Sequence, residues 1–142
     1  MRPVFEDVPT DTAPQPYAVA EDTARWLERD VLWGGMVLEV RNFPAHSEVE
    51  ILAFPLDRRQ APVSSSADQG RFIALLAGFA DPATLPEGRF VTLTGRITGD
   101  RNGSLHTRPY TWPEVDVQRM HLWEPDFSAP KARFSVGIGI GF

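Results

Sequence analysis

GRFVTLTGRITG, Gly88 to Gly99, decides the fold. In an extended chain Phe90, Thr92, Thr94 and Arg96 fall on one side, and Val91, Leu93, Gly95 and Ile97 on the other. That is the period of two that a strand imposes on its side chains. Gly95 interrupts the apolar side in mid-strand, where glycine marks a bulge or a sharp coil in a strongly bent sheet.

Downstream, Gly99-Asp100-Arg101-Asn102-Gly103 is expected to form a hairpin turn, its Asn-Gly pair suited to positive φ. SLHTRPYTW then returns, and PEVDVQRMHLW alternates Val115, Val117, Arg119, His121 and Trp123 against Asp116, Gln118, Met120 and Leu122 as a further strand. Upstream, Met36, Leu38 and Val40 alternate with Val37, Glu39 and Arg41. Val49, Ile51 and Ala53 alternate with Glu50, Leu52 and Phe54, and the connection NFPAHSE is of hairpin length, so these two runs should pair antiparallel. RFIALLAGF is apolar at nearly every residue from Phe72 to Phe79, which fits a strand covered on both faces or a short buried helix. The polar loop Asp57 to Gly70 and the break DPATLPEG flank it.

The N-terminal side is different. Pro3, Pro9, Pro14 and Pro16 among acidic and small residues predict an extended tether over residues 1–20. VAEDTARWLERD, Val19 to Asp30, predicts about two helical turns with Glu21 and Asp22 near the positive end. With five to seven strands and at most two short helices, the expected fold is all-β and mainly antiparallel. A small OB-like barrel, closed or partly open, or a compact sandwich would satisfy the pattern, with residues 21–142 as a single domain.

Composition limits the function. At 142 residues the chain suits one domain that buries roughly two thirds of its unfolded surface. A hydrophobic content of 42%, with nine Phe and four Trp, is that of a folding chain. Formal charge is −5 and Lys131 is the only lysine, so phosphate-rich partners and anionic membrane surfaces are disfavoured and no nucleic acid is expected as a partner. No cysteine is present, which removes disulfides, thiolate catalysis and cysteine-based zinc sites. No apolar run reaches the length of a membrane-spanning helix, and the N-terminus shows no signal-peptide pattern.

In order and spacing, the segments VLWGGMVLEVRNF, EVEILAFPLD, QGRFIALLAGFADPATLPEGRFVTLTGRITG, PYTWPEVDVQRMHLWEP and RFSVGIGIGF resemble the Slp family of starvation-inducible outer-membrane lipoproteins of Gram-negative bacteria. The likeness runs from about Trp33 to Phe142, and its W-G-G, P-G-R-x-x-T-x-x-G, H-L-W and G-I-G-I-G elements are specific in combination. It implies a domain on the periplasmic side of the outer membrane, held by an acylated cysteine at the end of a signal peptide. That cysteine is absent from this sequence, so either the anchor lies ahead of residue 2, which the Pro-rich lead favours as a spacer, or this member of the family has lost it. The resemblance supplies no catalytic residue. The expected role is non-enzymatic: envelope structure, or contact with another envelope protein or a second copy of the chain.

The residues themselves give little chemistry. His46, His106 and His121 lack metal-site spacing, and Ser64, Ser65 and Ser66 lack a nucleophile elbow and a base. Asp57, Asp68, Asp81 and Glu87 sit in turns, where acids cap and solvate. Gly34-Gly35 precedes a strand, not a helix, and so predicts a bulge or close backbone approach in place of a phosphate cradle, with Trp33 as a core or rim anchor. No catalytic residue, metal ligand or cofactor site is therefore assigned, and a hydrolase would need a site the sequence does not reveal. An OB-like groove for a small apolar or glycan ligand, lined by Trp112 and Trp123 or by phenylalanines such as Phe54, Phe72, Phe79 and Phe90, is the alternative function. At the C-terminus, Phe134, Val136, Ile138, Ile140 and Phe142 alternate with Ser135, Gly137, Gly139 and Gly141. This strip either closes the sheet edge, or presents Gly137, Gly139, Gly141 and Phe142 to a partner.

Overall fold

The computed structural model describes residues 2–10 and 14–125. The strand expected around Gly95 is β4 (Phe90–Leu105), and it pairs along its whole length with β5 (Arg108–Leu122). The hairpin does not turn at Asn102-Gly103. Those residues stay in register with Thr111 and Tyr110, and the chain reverses only at His106 and Thr107, both at positive φ (52° and 67°). A two-residue loop with two positive φ values matches the right-handed twist of its strands, and the Thr111 hydroxyl donating to Asn102 Oδ1 at 2.7 Å holds Asn102 in the ladder. The two segments expected on either side of Pro113 are thus one strand. Pro113 is tolerated because pairing with the neighbouring strand begins only at Glu114.

β1 (Asp30–Asn42) changes partner midway. Its first half pairs with β4, and its second half with β2 (His46–Ala53). The change falls at Gly34-Gly35, where a Cβ on Gly35 would lie 1.9 Å from the Leu52 carbonyl oxygen and one on Gly34 2.8 Å from the Val91 carbonyl oxygen. The close backbone approach read from the sequence is therefore present. Gly95 sits at a register shift, where a Cβ would lie 2.4 Å from Val115 Cγ1.

The ambiguous apolar run is a strand, β3 (Arg71–Ala77), with Phe72, Ile73 and Ala74 all buried. It pairs antiparallel with β2 and, through Ile73 to Leu75, parallel with β5. The five strands close into a ring in the order β1-β2-β3-β5-β4, the OB-type ring expected. Val37, Val49, Ile51, Phe72, Leu93, Ile97 and Val115 fill it, with the Trp33 ring edge-on to Phe72 at 5.0 Å between centroids.

The single helix expected over Val19–Asp30 is instead two short ones, α1 (Pro16–Glu21) and α2 (Thr23–Trp26). Pro16 starts α1 with the φ a first turn requires, and the chain leaves helical geometry at Asp22. Val19 is fully buried and joins the ring core. The first residues differ from the extended tether expected over 1–20: residues 4–8 bend and turn, with the Val8 N–H donating to the Phe5 carbonyl at 3.1 Å, and the described part packs onto the ring. Phe5 is buried, and the Trp33 indole donates to the Pro14 carbonyl at 2.8 Å. Gln60, inside the expected polar loop, is fully buried and hydrogen-bonds Phe5, Val8 and Thr10. Apolar contact at Phe5 and side-chain bonding from Gln60 satisfy a backbone that prolines keep out of sheets. Together these segments roof the outer face of β4, so that Thr92 and Thr94 are buried although they point away from the ring interior.

Candidate functional site

In OB-type rings the outer face of β2 and β3, with the loops beside it, is the usual ligand surface. Alternation places Glu48 and Glu50 of β2 and Arg71 and Ile73 of β3 on that face, since Val49, Ile51 and Phe72 point inward. Arg101 reaches this face from β4. It binds both oxygens of Glu48 at 2.8 Å and Glu114 of β5 at 2.7 Å. Arg41 and His46 approach Glu48 at 3.6 Å each. Beside this network Glu50 Oε2 accepts from Arg71 and from the Trp112 indole, both at 3.0 Å. Tyr110, edge-on to Trp112 at 4.8 Å, accepts the Arg71 backbone N–H at 2.8 Å. The β4–β5 arm beyond Gly99 therefore folds back across β2 and β3, and Ile73 is buried in mid-face.

A bidentate guanidinium on a carboxylate only 8% exposed gives a strong charge-assisted pair. The Arg101 hydrogen bonds hold the Glu48 carboxyl well below its ordinary 4.5, at about 2, against the opposing effect of burial. A carboxyl lowered in this way stabilises the fold fully above the unfolded value and loses that contribution as pH falls from about 4.5 towards 2. Arg101→Gln is expected to cost about 1–3 kcal/mol at pH 7, discounted towards the lower end because Arg101 itself is 40% exposed. The gap between variant and parent should narrow at pH 2. Urea unfolding at the two pH values checks this.

Trp112 and Trp123 do not line one groove. Trp112 lies in the first half of β5 and Trp123 just past its end, roughly 35 Å farther along the strand. The Trp123 indole donates to Thr92 Oγ1 at 2.9 Å, with Arg59 over its ring at 5.6 Å. Phe54 and Phe72 are core residues, and Phe79 is 73% exposed. His46 stacks on Phe43, His106 occupies the β4–β5 turn, and His121 lies against Trp123, where burial lowers its pKa. The histidines do not converge, and among the described residues no three His, Asp or Glu side chains gather to hold a metal ion. Ser64, Ser65 and Ser66 are exposed in a turn. Asp57, Asp68 and Asp81 accept backbone N–H groups two residues on, at 2.8–2.9 Å, which is the capping role their positions implied. Gly137, Gly139, Gly141 and Phe142 lie outside the described residues.

Sequence reasoning missed Glu48, Glu50, Arg71, Arg101 and Glu114. The signal was faint: two acids spaced two apart on a strand mark an outward face, but nothing local says that an arginine 53 residues later will meet them.

Solved structures with related chain traces include a small single-stranded DNA-binding protein from Streptomyces coelicolor, with 13% identity and a TM-score of 0.41, covering 67% of this chain and 94% of that one. An OBody bound to hen egg-white lysozyme is also similar, with 16% identity and a TM-score of 0.39, covering 75% and 95%. Outer membrane protein Slp of Escherichia coli K12 is 32% identical over 106 residues, 75% of this chain and 56% of its own length. The uncharacterized lipoprotein YeaY of the same organism is 30% identical over 109 residues, again 75% of this chain and 56% of its own. The chain thus spans about half the length of the curated relatives it matches. With the Outer membrane lipoprotein Slp family model matching residues 4–137, and with the W-G-G segment of β1, the coiled β4 and the β5 strand now placed in one ring, this chain belongs to the Slp family of outer membrane lipoproteins.

Proposed function

We propose that the chain forms the non-enzymatic globular domain of an envelope lipoprotein. A lipid on a residue ahead of this domain holds it to the outer membrane, on the periplasmic side, where it supports envelope structure or contacts another envelope component. The observation that carries this reading is the family match over residues 4–137. The site geometry supports it. The face on which OB-type rings commonly take ligands is filled by the chain's own arm, and the carboxylates Glu48, Glu50 and Glu114 on it are largely buried against Arg101 and Arg71.

The test uses the full-length gene product in a Gram-negative host given a radiolabelled fatty acid. Label should co-sediment with outer-membrane vesicles, and external protease should digest the domain only after the outer membrane is permeabilised. An unlabelled protein in the cytosolic fraction would overturn the proposal, and digestion in intact cells would overturn the periplasmic side.

A further inference from the structure

A second site lies away from the covered face. Between the N-terminal segment and the outer side of β4, β5 and the start of β1 is a cleft of about 340 Å³ bordered by Asp7, Val8, Pro9, Asp30, Val31, Thr94, Gln118 and Arg119. Thr94 is 95% buried in terms of accessible surface, 5% remaining exposed, and its Oγ1 has no hydrogen-bond partner among the described residues. Buried hydroxyls are nearly always bonded, so an orphaned one bordering a cleft marks a position for a ligand atom. Gln118 adds an exposed amide that both donates and accepts.

The charges in the cleft are matched. Arg119 grips Asp7 with two hydrogen bonds of 3.1 and 3.2 Å, and Asp30 faces Arg96 at 3.5 Å. A wall with its acids and bases already paired gives no net attraction to an anion or a cation. A fully apolar ligand would strip water from Gln118 and Arg119 without replacing their hydrogen bonds and would leave the Thr94 hydroxyl unpaired. Val8, Pro9 and Val31 offer apolar surface, which the carbon-bearing face of a sugar ring can cover. Hydroxyl groups that donate and accept at once suit Thr94 and Gln118. The volume sits near the lower end of the roughly 300–1,000 Å³ typical of small-molecule sites.

We infer that this cleft is a binding site for a neutral, hydroxyl-rich ligand of one or two sugar rings, with Thr94 and Gln118 as its recognition groups. Such binding is independent of the lipoprotein reading, since it depends only on the geometry of this cleft.

The test is a nuclear magnetic resonance titration of the ¹⁵N-labelled domain with maltose and with N,N′-diacetylchitobiose, and with glucosamine and glucuronate as charged controls. At least one neutral disaccharide should give saturable shifts at Val8, Asp30, Thr94 and Gln118. Thr94→Val, which keeps the shape and removes the hydroxyl, should weaken that binding about tenfold. Because the hydroxyl is unpaired without ligand, the same variant should melt at the parent temperature or above, so lost binding is separable from lost folding. Gln118→Ala, at an exposed position, should weaken binding without altering the melt. Absence of saturable shifts with both neutral sugars, unchanged affinity in Thr94→Val, or saturation only with a charged control would each overturn the inference.

Discussion

Gly35→Ala is expected to destabilise the domain by about 3 kcal/mol or more, lowering its melting temperature by roughly 10 °C. The cause is steric. Gly35 sits where β1 passes from β4 to β2, and its added Cβ would lie 1.9 Å from the Leu52 carbonyl oxygen and 2.8 Å from Ala53 Cα. Both are backbone atoms, so no rotamer change relieves the overlap, and β2 would have to move away from β1 at the centre of the ring. Overpacking typically costs about 1–3 kcal/mol where side chains can adjust, and this site lies beyond that case. Gly34→Ala meets the Val91 carbonyl oxygen at 2.8 Å but otherwise only side-chain atoms of Leu56 and Thr92 at 3.0 Å, and should cost less. Gly99→Ala meets nothing nearer than Glu114 Oε1 at 3.6 Å and should be neutral or slightly stabilising, because alanine loses less backbone entropy on folding. Thermal melts of the three variants check the order. A Gly35→Ala protein that melts with the parent would show that the strands do not cross as closely as described.

This constriction was legible in the sequence because Gly34-Gly35 interrupts a run whose neighbours are all strand formers. The same holds for Gly95, since an apolar alternation broken by a glycine says where a strand must coil. Legibility ended where tertiary contact overrode local preference. Asn102-Gly103 is a strong local turn signal, yet its cross-strand partners Thr111 and Tyr110 keep it extended and shift the reversal to His106-Thr107, residues with little intrinsic turn preference. The hidden face of β2 and β3 was illegible for a related reason. A charged side chain in a strand reads as solvent-facing, and only the fold brings Arg101 onto Glu48. Periodicity pointed to the ring and the family resemblance to the location, but neither could show that the customary ligand face is closed by its own arm, nor that the Trp112 and Trp123 indoles are spent on Glu50 and Thr92.

Gln60 is the other position where a single substitution should have a large effect, and it too was concealed, inside a loop whose composition reads as solvated. Its side-chain Oε1 accepts the Phe5 N–H at 2.8 Å, and its Nε2 donates to the carbonyls of Val8 at 3.0 Å and Phe5 at 3.3 Å, with Thr10 Oγ1 at 3.3 Å. One amide thus satisfies the backbone of a segment that belongs to no sheet. Gln60→Leu leaves two outcomes. If residues 4–8 stay docked, the Phe5 N–H and the Val8 carbonyl lose their partners, at roughly 1–3 kcal/mol for each group left buried. If the segment peels away, burial of the Phe5 ring is lost, at roughly 1.5–3 kcal/mol. The two routes overlap at a loss of about 2–3 kcal/mol, and hydrogen exchange separates them, because only peeling removes protection from the Val8 amide, which donates to the Phe5 carbonyl at 3.1 Å. Gln60→Asn sharpens the test. Gln60 has a φ of 69°, a backbone region that asparagine adopts more readily, so this variant favours the main chain while shortening the reach of the amide by one methylene. It should still lose stability. A variant as stable as the parent would mean that the loop's backbone geometry, and not the buried amide, holds the N-terminal segment over β4.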